Sequence, residues 1–435
     1  MRHLRIEQLE SRTLLAVGLC EYVVITTSDL VTNFESLVEQ KEADGLTAEI
    51  VTIEHIEAEY TGSESGDMAD QIRGFIADAY ENRGTRWVLL GGDSEIIPPR
   101  LVYGSATTYE TLIATDLYYA CLDGPWDGDD DGLWGECNDG IGGNDIDLIA
   151  EVFVGRAPVS NAGEADNFVN KTIWYSTRSH NNHDSVTLLG SRLDSLTSGS
   201  YSSEAIREQV LPDDWRYTEL YDSVATWTGA DLVAQLNAGT HFVHHLGHSG
   251  SMYNAKLSRY NVDALTNVDP YIMCSQGCWA GAFDLADVAI AEAHVVAEHG
   301  AVAVIMNSRL GWYAPGLNLA GNHYYAIEFF DAIFTEGKAT LGEAHWDSRL
   351  DNLGRVQATG VYRWINFEIN LLGDPALLLD PPTILVPPDV TVEVELVGNV
   401  LTINMLDSGF GVFFVEVGVS DGRLVDTEMF RVQEL

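Results

Sequence analysis

Short β-branched runs alternate with amphipathic segments from residue 21 onward, and this alternation constrains the fold more than any other feature of the chain. The first series has the order strand, helix, strand, helix, strand, at YVVIT (22–26), 34–44, AEIVTI (48–53), 66–82 and RWVLLGG (86–92). Because the helix of each strand–helix–strand unit packs across the sheet, the series predicts a parallel sheet with helices on both faces.

A second series of the same kind follows later in the chain. It comprises the predicted strands 185–190, 241–247, 271–276 and 301–308 and the predicted helices 229–238 and 285–299. An amphipathic segment, 164–179, would join the two series. The sequence therefore predicts two tandem three-layer α/β/α units with mainly parallel sheets, at 17–180 and 181–380.

Both ends of the chain differ in composition from this α/β region. Residues 381–388, PPTILVPP, have the composition of a Pro-rich linker. The tail, 389–435, contains strand-like runs but is shorter than the ~100 residues of an immunoglobulin-like sandwich, so we predict a partial one. The segment LESRTLLA near the N-terminus resembles a motif of large exported or cell-surface bacterial proteins. We interpret 1–16 as a targeting segment, the alternative being a frayed arm.

The charge balance limits the classes of partner. The chain has 66 acidic and 23 basic residues, a formal net charge of −43 at pH 7. Such a field repels phosphate backbones and anionic lipid surfaces, so we expect no nucleic-acid or lipid partner. No run approaches the roughly 20 uninterrupted apolar residues of a membrane-spanning helix, so no membrane span is predicted.

The five cysteines, Cys20, Cys121, Cys137, Cys274 and Cys278, are too few and too scattered for a disulfide scaffold. The odd number leaves at least one thiol unpaired. Cys121 and Cys137 bracket an acidic loop, and they either close it as a disulfide in an oxidising compartment or remain ordinary core thiols. Cys274 lies inside the predicted strand 271–276, which indicates a role in core packing.

Two predicted strands end in residues that are suited to nucleophilic catalysis. Strand 241–247 is followed by His248, and strand 271–276 by Gly277 and Cys278. The carboxyl ends of adjacent parallel strands meet at one edge of a sheet, so we expect the imidazole and the thiol within reach of one another. A thiolate needs such a base, although a buried thiol and a structural histidine are the alternatives.

Glycines beside these two residues predict an oxyanion hole. Gly247, Gly250 and Gly277 allow tight turns that aim backbone N–H groups into a shared cleft. We therefore predict that the N–H groups of Ser249 and Cys278 face a developing oxyanion.

The segment GHSG (247–250), followed by CWAGAFD (278–284), resembles the catalytic region of the gingipain family of cysteine peptidases, which share the caspase-like fold. Three further segments agree in order with that family: WVLLGGDSEIIPPR (87–100), AEVFVGRAPV (150–159) and NLLGDPALLL (370–379). The resemblance covers roughly residues 21–380. It implies an endopeptidase that acts through a thioester, with Cys278 as nucleophile and His248 as acid and base.

The same resemblance implies three more site residues. The carboxylate that orients the histidine in the family falls on Glu151, for which the alternative is a solvated strand-end acid. The acid and the tryptophan of the pocket for the residue before the scissile bond, P1, fall on Glu164 and Trp312, which implies cleavage after Arg or Lys. Glu164 also opens a predicted helix, where an acid is favoured anyway. The family has Gly after the histidine, where this chain has Ser249, whose side chain would narrow the cleft or twist the oxyanion amide.

The loop 123–139, DGPWDGDDDGLWGECND, is the densest acidic segment of the chain. Asp127, Asp129 and Asp131, followed by Gly, have the alternating spacing that arranges oxygens around calcium. Members of the gingipain family bind calcium structurally, which favours a structural calcium site here. The alternative is a solvated acidic turn.

The twelfth position of this loop holds Asn138 rather than the bidentate Glu of an EF-hand, so Glu136 or Asp139 would have to substitute. The cluster of His241, His244 and His245 suggests a second metal, but neighbouring residues of a strand point to opposite faces. We therefore predict no zinc site, and no organic cofactor.

These features together predict a secreted or cell-surface cysteine endopeptidase that acts on polypeptides. A caspase-like or clostripain-like processing enzyme of different specificity is the alternative in the same class. A catalytically lapsed, calcium-stabilised surface or adhesion protein on a peptidase fold is the alternative from another class.

Overall fold

The computed structural model describes residues 18–379, apart from 63, 178–181, 286–287 and 318, and the backbones of four strands between 392 and 433. Residues Ala16–Pro382 form one compact unit, which spans both predicted α/β subdomains, and the C-terminal segment belongs to a second unit. The predicted targeting segment (1–16) and linker (381–388) lie outside the described residues.

The strands and helices of the first unit follow the predicted alternation. Its strands are β1 (Tyr22–Thr26), β2 (Ala48–Thr52), β3 (Trp87–Gly91), β4 (Arg100–Ala106), β5 (Tyr109–Thr115), β6 (Phe153–Ala157), β7 (Ser185–Gly190), β8 (Arg216–Tyr221), β9 (Phe242–Leu246), β10 (Tyr253–Asn254), β11 (Leu257–Ser258), β12 (Tyr271–Ser275), β13 (Ala301–Asn307) and β14 (Ile369–Leu372). Its α-helices are α1 (Val31–Ala43), α2 (Ile53–Glu59), α3 (Met68–Arg83), α4 (Ala162–Thr177), α5 (Ser200–Gln209), α6 (Gly229–Ala238), α7 (Arg259–Val262), α8 (Ile290–Val296), α9 (Asn322–Phe334), α10 (Leu341–Leu350) and α11 (Val361–Glu368).

Ten strands form one continuous sheet, in the order β2-β1-β3-β6-β14-β13-β12-β9-β7-β8. Neighbouring strands are parallel except for β13 and β14. Strands β1, β3, β9, β12 and β13 are buried along their whole length, as expected where helices cover both faces. The predicted mainly parallel α/β architecture is confirmed, and β14 joins the two predicted series into a single sheet.

The antiparallel pair reverses the direction of the strands within the sheet. Because β14 is parallel to β6 and antiparallel to β13, the strands of the first half run opposite to those of the second. The carboxyl ends of β9, β12 and β13 therefore lie at the same edge as the amino ends of β6 and β14. We call this the upper edge, and the opposite one the lower edge.

Local sequence signals set several helix boundaries. Helix α3 ends at Gly84, whose φ of 73° is favourable only for a residue without a side chain. Helix α6 begins with a capping box of Thr228 and Asp231. Helix α8 is shorter than the predicted 285–299, because the buried carboxylate of Glu292 accepts the N–H of Ala289 and starts the helix there.

The described part of the C-terminal segment is all β, in two antiparallel hairpins. They pair β15 (Val392–Val397) with β16 (Val400–Met405), and β17 (Val412–Ser420) with β18 (Val425–Gln433). An immunoglobulin-like arrangement stays a prediction. Of the described helices, none combines the length and the apolar character needed to cross a bilayer.

Candidate active site

Adjacent strands bring His248 and Cys278 to the upper edge of the sheet. Strand β9 pairs in parallel with β12, with His245 opposite Ser275. His248 lies three residues after His245, and Cys278 lies three residues after Ser275. Both residues therefore follow this pair by the same number of positions, at the same edge of the sheet. His248 is exposed and Cys278 is half-buried. The structure thus places the predicted base and nucleophile on neighbouring loops.

The turn that carries Cys278 has an unusual backbone. Trp279 has a φ of 60°, which is uncommon for a bulky residue and typical of strained functional turns. Its N–H donates to the Arg309 carbonyl at 2.7 Å, and the Arg309 guanidinium lies 5.1 Å from the Trp279 ring centroid. Arg309 is itself held by two hydrogen bonds to Asp284, at 2.8 and 2.6 Å. These contacts fix the direction of the turn.

The thiol of Cys278 faces the segment that follows β13. Its Sγ lies 3.7 Å from the carbonyl oxygen of Gly311, to which the thiol donates a weak hydrogen bond. Burial raises the pKa of the Cys278 thiol above its ordinary value. The resting group is therefore a thiol at neutral pH, and a base must remove its proton during attack.

A backbone carbonyl, and not Glu151, is the partner of His248. His248 Nε2 lies 2.8 Å from the carbonyl oxygen of Leu193, in the loop after β7. A carbonyl only accepts, so Nε2 carries the proton and Nδ1 is left with a free lone pair. No sequence pattern marks this contact, because every residue has a carbonyl group.

Glu151 lies at the upper edge, before β6, but its contacts are elsewhere. Its carboxylate accepts the N–H of Leu122 at 2.5 Å and lies within 4.8 Å of oxygens of Asp123 and Asp147. Burial, with the charges of those two aspartates, raises the pKa of Glu151. Among the hydrogen bonds of the described residues, none joins Glu151 to His248, which corrects the expectation that this carboxylate orients the imidazole.

The two amides predicted for the oxyanion hole have no acceptor on another residue in the described part of the chain. The hydroxyl of Ser249 donates to Oδ1 of the buried Asn254 at 2.7 Å, and Ser275 donates to the same atom at 2.9 Å. Asn254 thereby links the loop of His248 to the strand of Cys278. The extra side chain of Ser249 is directed into the protein, against Gly277.

Trp312 and Glu164, the two predicted pocket residues, lie far apart. Trp312 follows Gly311, and its ring packs edge to face against Tyr109 and Trp364, with centroid distances of 5.8 and 5.7 Å. Trp312 is therefore next to the segment that contacts the nucleophile.

Glu164 lies at the lower edge, in the first turn of α4, where its carboxylate accepts from the N–H and hydroxyl of Ser160 at 2.8 and 2.9 Å. Helix α4 follows the carboxyl end of β6, which points away from the cleft because the sheet reverses direction at β14. The role predicted for Glu164 beneath the P1 pocket is thus corrected, and the residue is a helix cap.

Asp194 is the acid that the structure places in this region, and sequence analysis missed it. It follows Leu193, and its Oδ2 accepts the hydroxyl of Tyr313 at 3.1 Å. The backbone N–H groups of Leu196 and Thr197 hold its Oδ1 at 2.6 and 2.7 Å and lower the pKa of Asp194. A charged carboxylate therefore lies between the partner of His248 and the chain that carries Trp312.

A model of the peptidase family C25 matches residues 18–380. The chain belongs to peptidase family C25. This membership confirms the resemblance to gingipains and supports a cysteine peptidase.

Relatives of this C25 chain are distant. An uncharacterized protein of Archaeoglobus fulgidus is 24% identical over 305 residues, which cover 60% of this chain and 66% of that protein, just under two thirds of its length. The crystal structure of the Arg specific cysteine proteinase gingipain R (RgpB) superimposes with a TM-score of 0.66 at 19% identity, over 95% of this chain and 92% of that one. The complex of the pro- and mature domains of RgpB from Porphyromonas gingivalis superimposes with a TM-score of 0.67 at 18% identity, over 94% of this chain and 91% of that one. These likenesses show the fold.

The acidic loop of this C25 chain gathers its carboxylates around one buried group. Oxygens of Asp127, Asp129 and Asp139 lie within 4.8 Å of one another, and so do oxygens of Asp129, Asp131 and Glu136. Asp139 is fully buried, and its Oδ1 has no hydrogen-bond partner among the described residues. Burial, with the neighbouring acids, raises the pKa of Asp139 to about 7. An orphaned carboxylate oxygen among other carboxylates fits a Ca²⁺ site.

The clustered histidines have protein partners. His244 Nδ1 and Nε2 lie 2.8 Å from Ser203 Oγ and from Gln276 Nε2, and His245 Nδ1 lies 2.9 Å from Ser275 Oγ. His241 Nε2 lies 2.6 Å from the hydroxyl of Tyr175. These contacts describe buried hydrogen-bonded histidines rather than the ligands of one ion.

All five cysteines are free thiols in the structure. Cys121 is buried and Cys137 is partly exposed, without a disulfide between them. Cys274 lies in the middle of β12 with 5% of its surface exposed, and burial raises its pKa to about 12. Such a thiol is inert, in agreement with the predicted packing role.

Proposed function

We propose that this C25 chain is a secreted or cell-surface cysteine endopeptidase that uses Cys278 as nucleophile and His248 as general base and acid. The observation that carries the proposal is the pairing of β9 with β12, which ends both strands at one level. An exposed imidazole and a half-buried thiol follow these strands, and the amides beside them have no acceptor on another residue.

The proposed reaction follows from the atoms at this edge. His248 Nδ1 takes the thiol proton as Cys278 Sγ attacks the carbonyl carbon of the scissile bond. The N–H groups of Ser249 and Cys278 stabilise the oxyanion of the tetrahedral intermediate. The imidazolium then protonates the leaving amine and a thioester remains. His248 next removes a proton from water, whose oxygen attacks the thioester and releases the acid and the thiol.

The carbonyl of Leu193 supports both proton transfers in this scheme. It holds the Nε2–H tautomer while Nδ1 is neutral, and it continues to accept when both nitrogens carry protons. The role implied for Glu151 is thereby taken by a neutral acceptor whose position the fold determines.

Basic P1 specificity is proposed on the position of Asp194. Its carboxylate accepts the hydroxyl of Tyr313, the residue after Trp312, and would pair with a guanidinium or ammonium group packed on the Trp312 ring.

The function and this specificity are tested together with fluorogenic peptides that have Arg, Lys, Asp, Leu or Ala at P1, in the presence of a reductant. We expect hydrolysis after Arg or Lys. Asp194→Asn should lower kcat/KM for basic P1 by about 10- to 100-fold, the value of a charge-assisted hydrogen bond of about 1.5–3 kcal/mol.

Glu164→Gln is the matched control, because it removes the same charge at the lower edge and should leave the P1 preference unchanged. Hydrolysis after an apolar residue, unaffected by Asp194→Asn, would reject the basic specificity but keep the peptidase. Failure to cleave any peptide, with no labelling of Cys278 by a thiol-reactive peptide probe, would favour the lapsed surface protein.

A structural Ca²⁺ site is proposed at the acidic loop, with Asp127, Asp129, Asp131 and Asp139 as ligands. A bound cation would supply the partner that Asp139 Oδ1 lacks. Removal of calcium with a chelator should lower the melting temperature by several degrees, since a ligand that binds only the native state stabilises it.

In the Asp139→Asn variant the melting temperature should no longer respond to calcium. Asp29→Asn is the control, because it makes the same charge change at an exposed residue outside the loop, and it should keep the response. The melting temperature of each variant, measured with calcium and with chelator, provides the comparison. Identical melting curves of the wild type in both conditions would reject the site.

A further inference from the structure

Beneath the cleft, a buried carboxyl group contacts two side chains that both lead to Trp312. Glu368 ends α11 and is fully buried. Its Oε1 accepts a hydrogen bond from Asn322 Nδ2 at 3.2 Å, and its Oε2 accepts one from Trp364 Nε1 at 3.1 Å. Within the described part of the chain Glu368 forms no ion pair.

The first contact fixes the backbone of Trp312. Asn322 Oδ1 accepts the N–H of Trp312 at 2.5 Å, and the Asn322 N–H donates to the Trp312 carbonyl at 3.0 Å. The amide of Asn322 can be oriented in this way because its NH₂ group faces Glu368 and Asn307 Oδ1, both of which are acceptors. Glu368 thus determines which end of the Asn322 amide meets the Trp312 backbone.

Close packing fixes the position of Gly311, the residue before Trp312. A Cβ on Gly311 would lie 2.5 Å from the Gln276 carbonyl oxygen and 2.6 Å from Asn307 Nδ2. The carbonyl oxygen of Gly311 accepts the weak hydrogen bond from the Cys278 thiol. Gly311 is therefore held by its own close contacts with Gln276 and Asn307, so its contact with the nucleophile stays in place when the Trp312 ring is displaced.

The second contact supports the ring of Trp312. The indole of Trp364 is 1% exposed and packs edge to face against Trp312 at a centroid distance of 5.7 Å. Its only polar atom, Nε1, is anchored on Glu368. One carboxyl group therefore holds both the backbone and the packing surface of the same tryptophan.

We propose that Glu368 is a positioning residue for substrate selection, which fixes the Trp312 wall of the P1 pocket through Asn322 and Trp364. The inference rests on the proposed peptidase function. A buried carboxyl group is costly unless its hydrogen bonds are satisfied, and the two side chains that donate to this one, Asn322 and Trp364, both lead to Trp312.

The test is Glu368→Gln, which keeps the shape of the side chain. Its NH₂ group must face either Asn322 Nδ2 or Trp364 Nε1, which are both donors, so one of the two contacts is lost. We expect the ratio of kcat/KM between the preferred P1 residue and Ala to fall about tenfold or more, mainly through KM, as expected for a displaced binding wall. The rate of Cys278 alkylation by iodoacetamide, which does not use the pocket, should stay within about twofold.

A second substitution distinguishes positioning from general damage. In Glu368→Gln/Trp364→Phe the Gln amide no longer meets an indole N–H, so it can turn its oxygen to Asn322, and the selectivity ratio should recover in part. If Glu368→Gln fails to fold, Trp364→Phe alone removes one contact, keeps an aromatic ring and should lower the same ratio. Melting temperatures identify the folded variants.

An unchanged ratio in both single variants would overturn the proposal, as would equal losses of hydrolysis and alkylation. Failure of the proposed function is a separate outcome, since wild-type hydrolysis would then be absent or independent of Cys278.

Discussion

Replacement of Cys278 by Ala is expected to lower kcat/KM for peptide hydrolysis by about 10⁴-fold or more, because the proposed reaction depends on the attack of its thiol on the scissile carbonyl. The thiol is half-buried and donates a weak hydrogen bond to the Gly311 carbonyl, whose loss is small, so the variant should fold. Initial rates with fluorogenic peptides in reductant measure the effect, and the melting temperature of the variant shows that the native structure is kept.

Cys274→Ala is the matched control for this loss. Cys274 lies on β12, the strand that precedes Cys278, four residues earlier and inside the core at 5% exposure. We expect it to cost stability through the small cavity that it leaves, of about 1 kcal/mol, and to leave kcat within a fewfold of the wild type. Comparable loss of activity in the two variants would contradict the assignment of the nucleophile.

Gly277→Ala is expected to produce the second largest loss, because it forces the two catalytic loops apart. An added Cβ would lie 1.9 Å from Ser249 Oγ and 2.7 Å from Ser249 Cβ. The overlap should cost about 1–3 kcal/mol of stability. It also displaces the amides of Ser249 and Cys278, and a displacement near 1 Å is enough to lower kcat/KM about 10²-fold.

Ser249→Gly provides the rescue for this substitution. Removal of the serine side chain eliminates the two closest contacts, which leaves Asn254 Oδ1, at 3.0 Å, as the nearest remaining atom. The double variant should therefore recover most of the activity and stability lost in Gly277→Ala. Thermal melts and peptide kinetics on the two single variants and the double variant measure the coupling. If the losses of activity and stability in the double variant equal the sum of those in the two single variants, the proposed contact is refuted.

The strands that carry the candidate dyad could be predicted because their signals are local. Buried strands end two residues before His248 and three residues before Cys278, and parallel neighbours end at one edge. The pocket role of Glu164 was implied by the family resemblance and had no such local signal. Its place depends on the direction of β6 relative to β12, and that direction is determined by the antiparallel pairing of β13 with β14.

Contacts between distant segments account for the other differences. The Leu193 carbonyl that holds His248 and the Asp194 carboxylate beside Tyr313 lie in the loop after β7, where no sequence pattern marks them. Asp139 was one of two possible substitutes in the acidic loop, and burial distinguishes it from Glu136.

The sequence by itself determined the α/β class and the order of the strands along the chain, and it predicted the reacting pair, because hydrophobic periodicity and strand ends are properties of neighbouring residues. The tertiary structure decided which groups meet that pair. Strand β14 joins two half-sheets of opposite direction, so Glu164 lies at the lower edge, whereas Asp194, for which the sequence predicted no role, contacts Tyr313. Only the fold determines which backbone and side-chain groups lie at each edge.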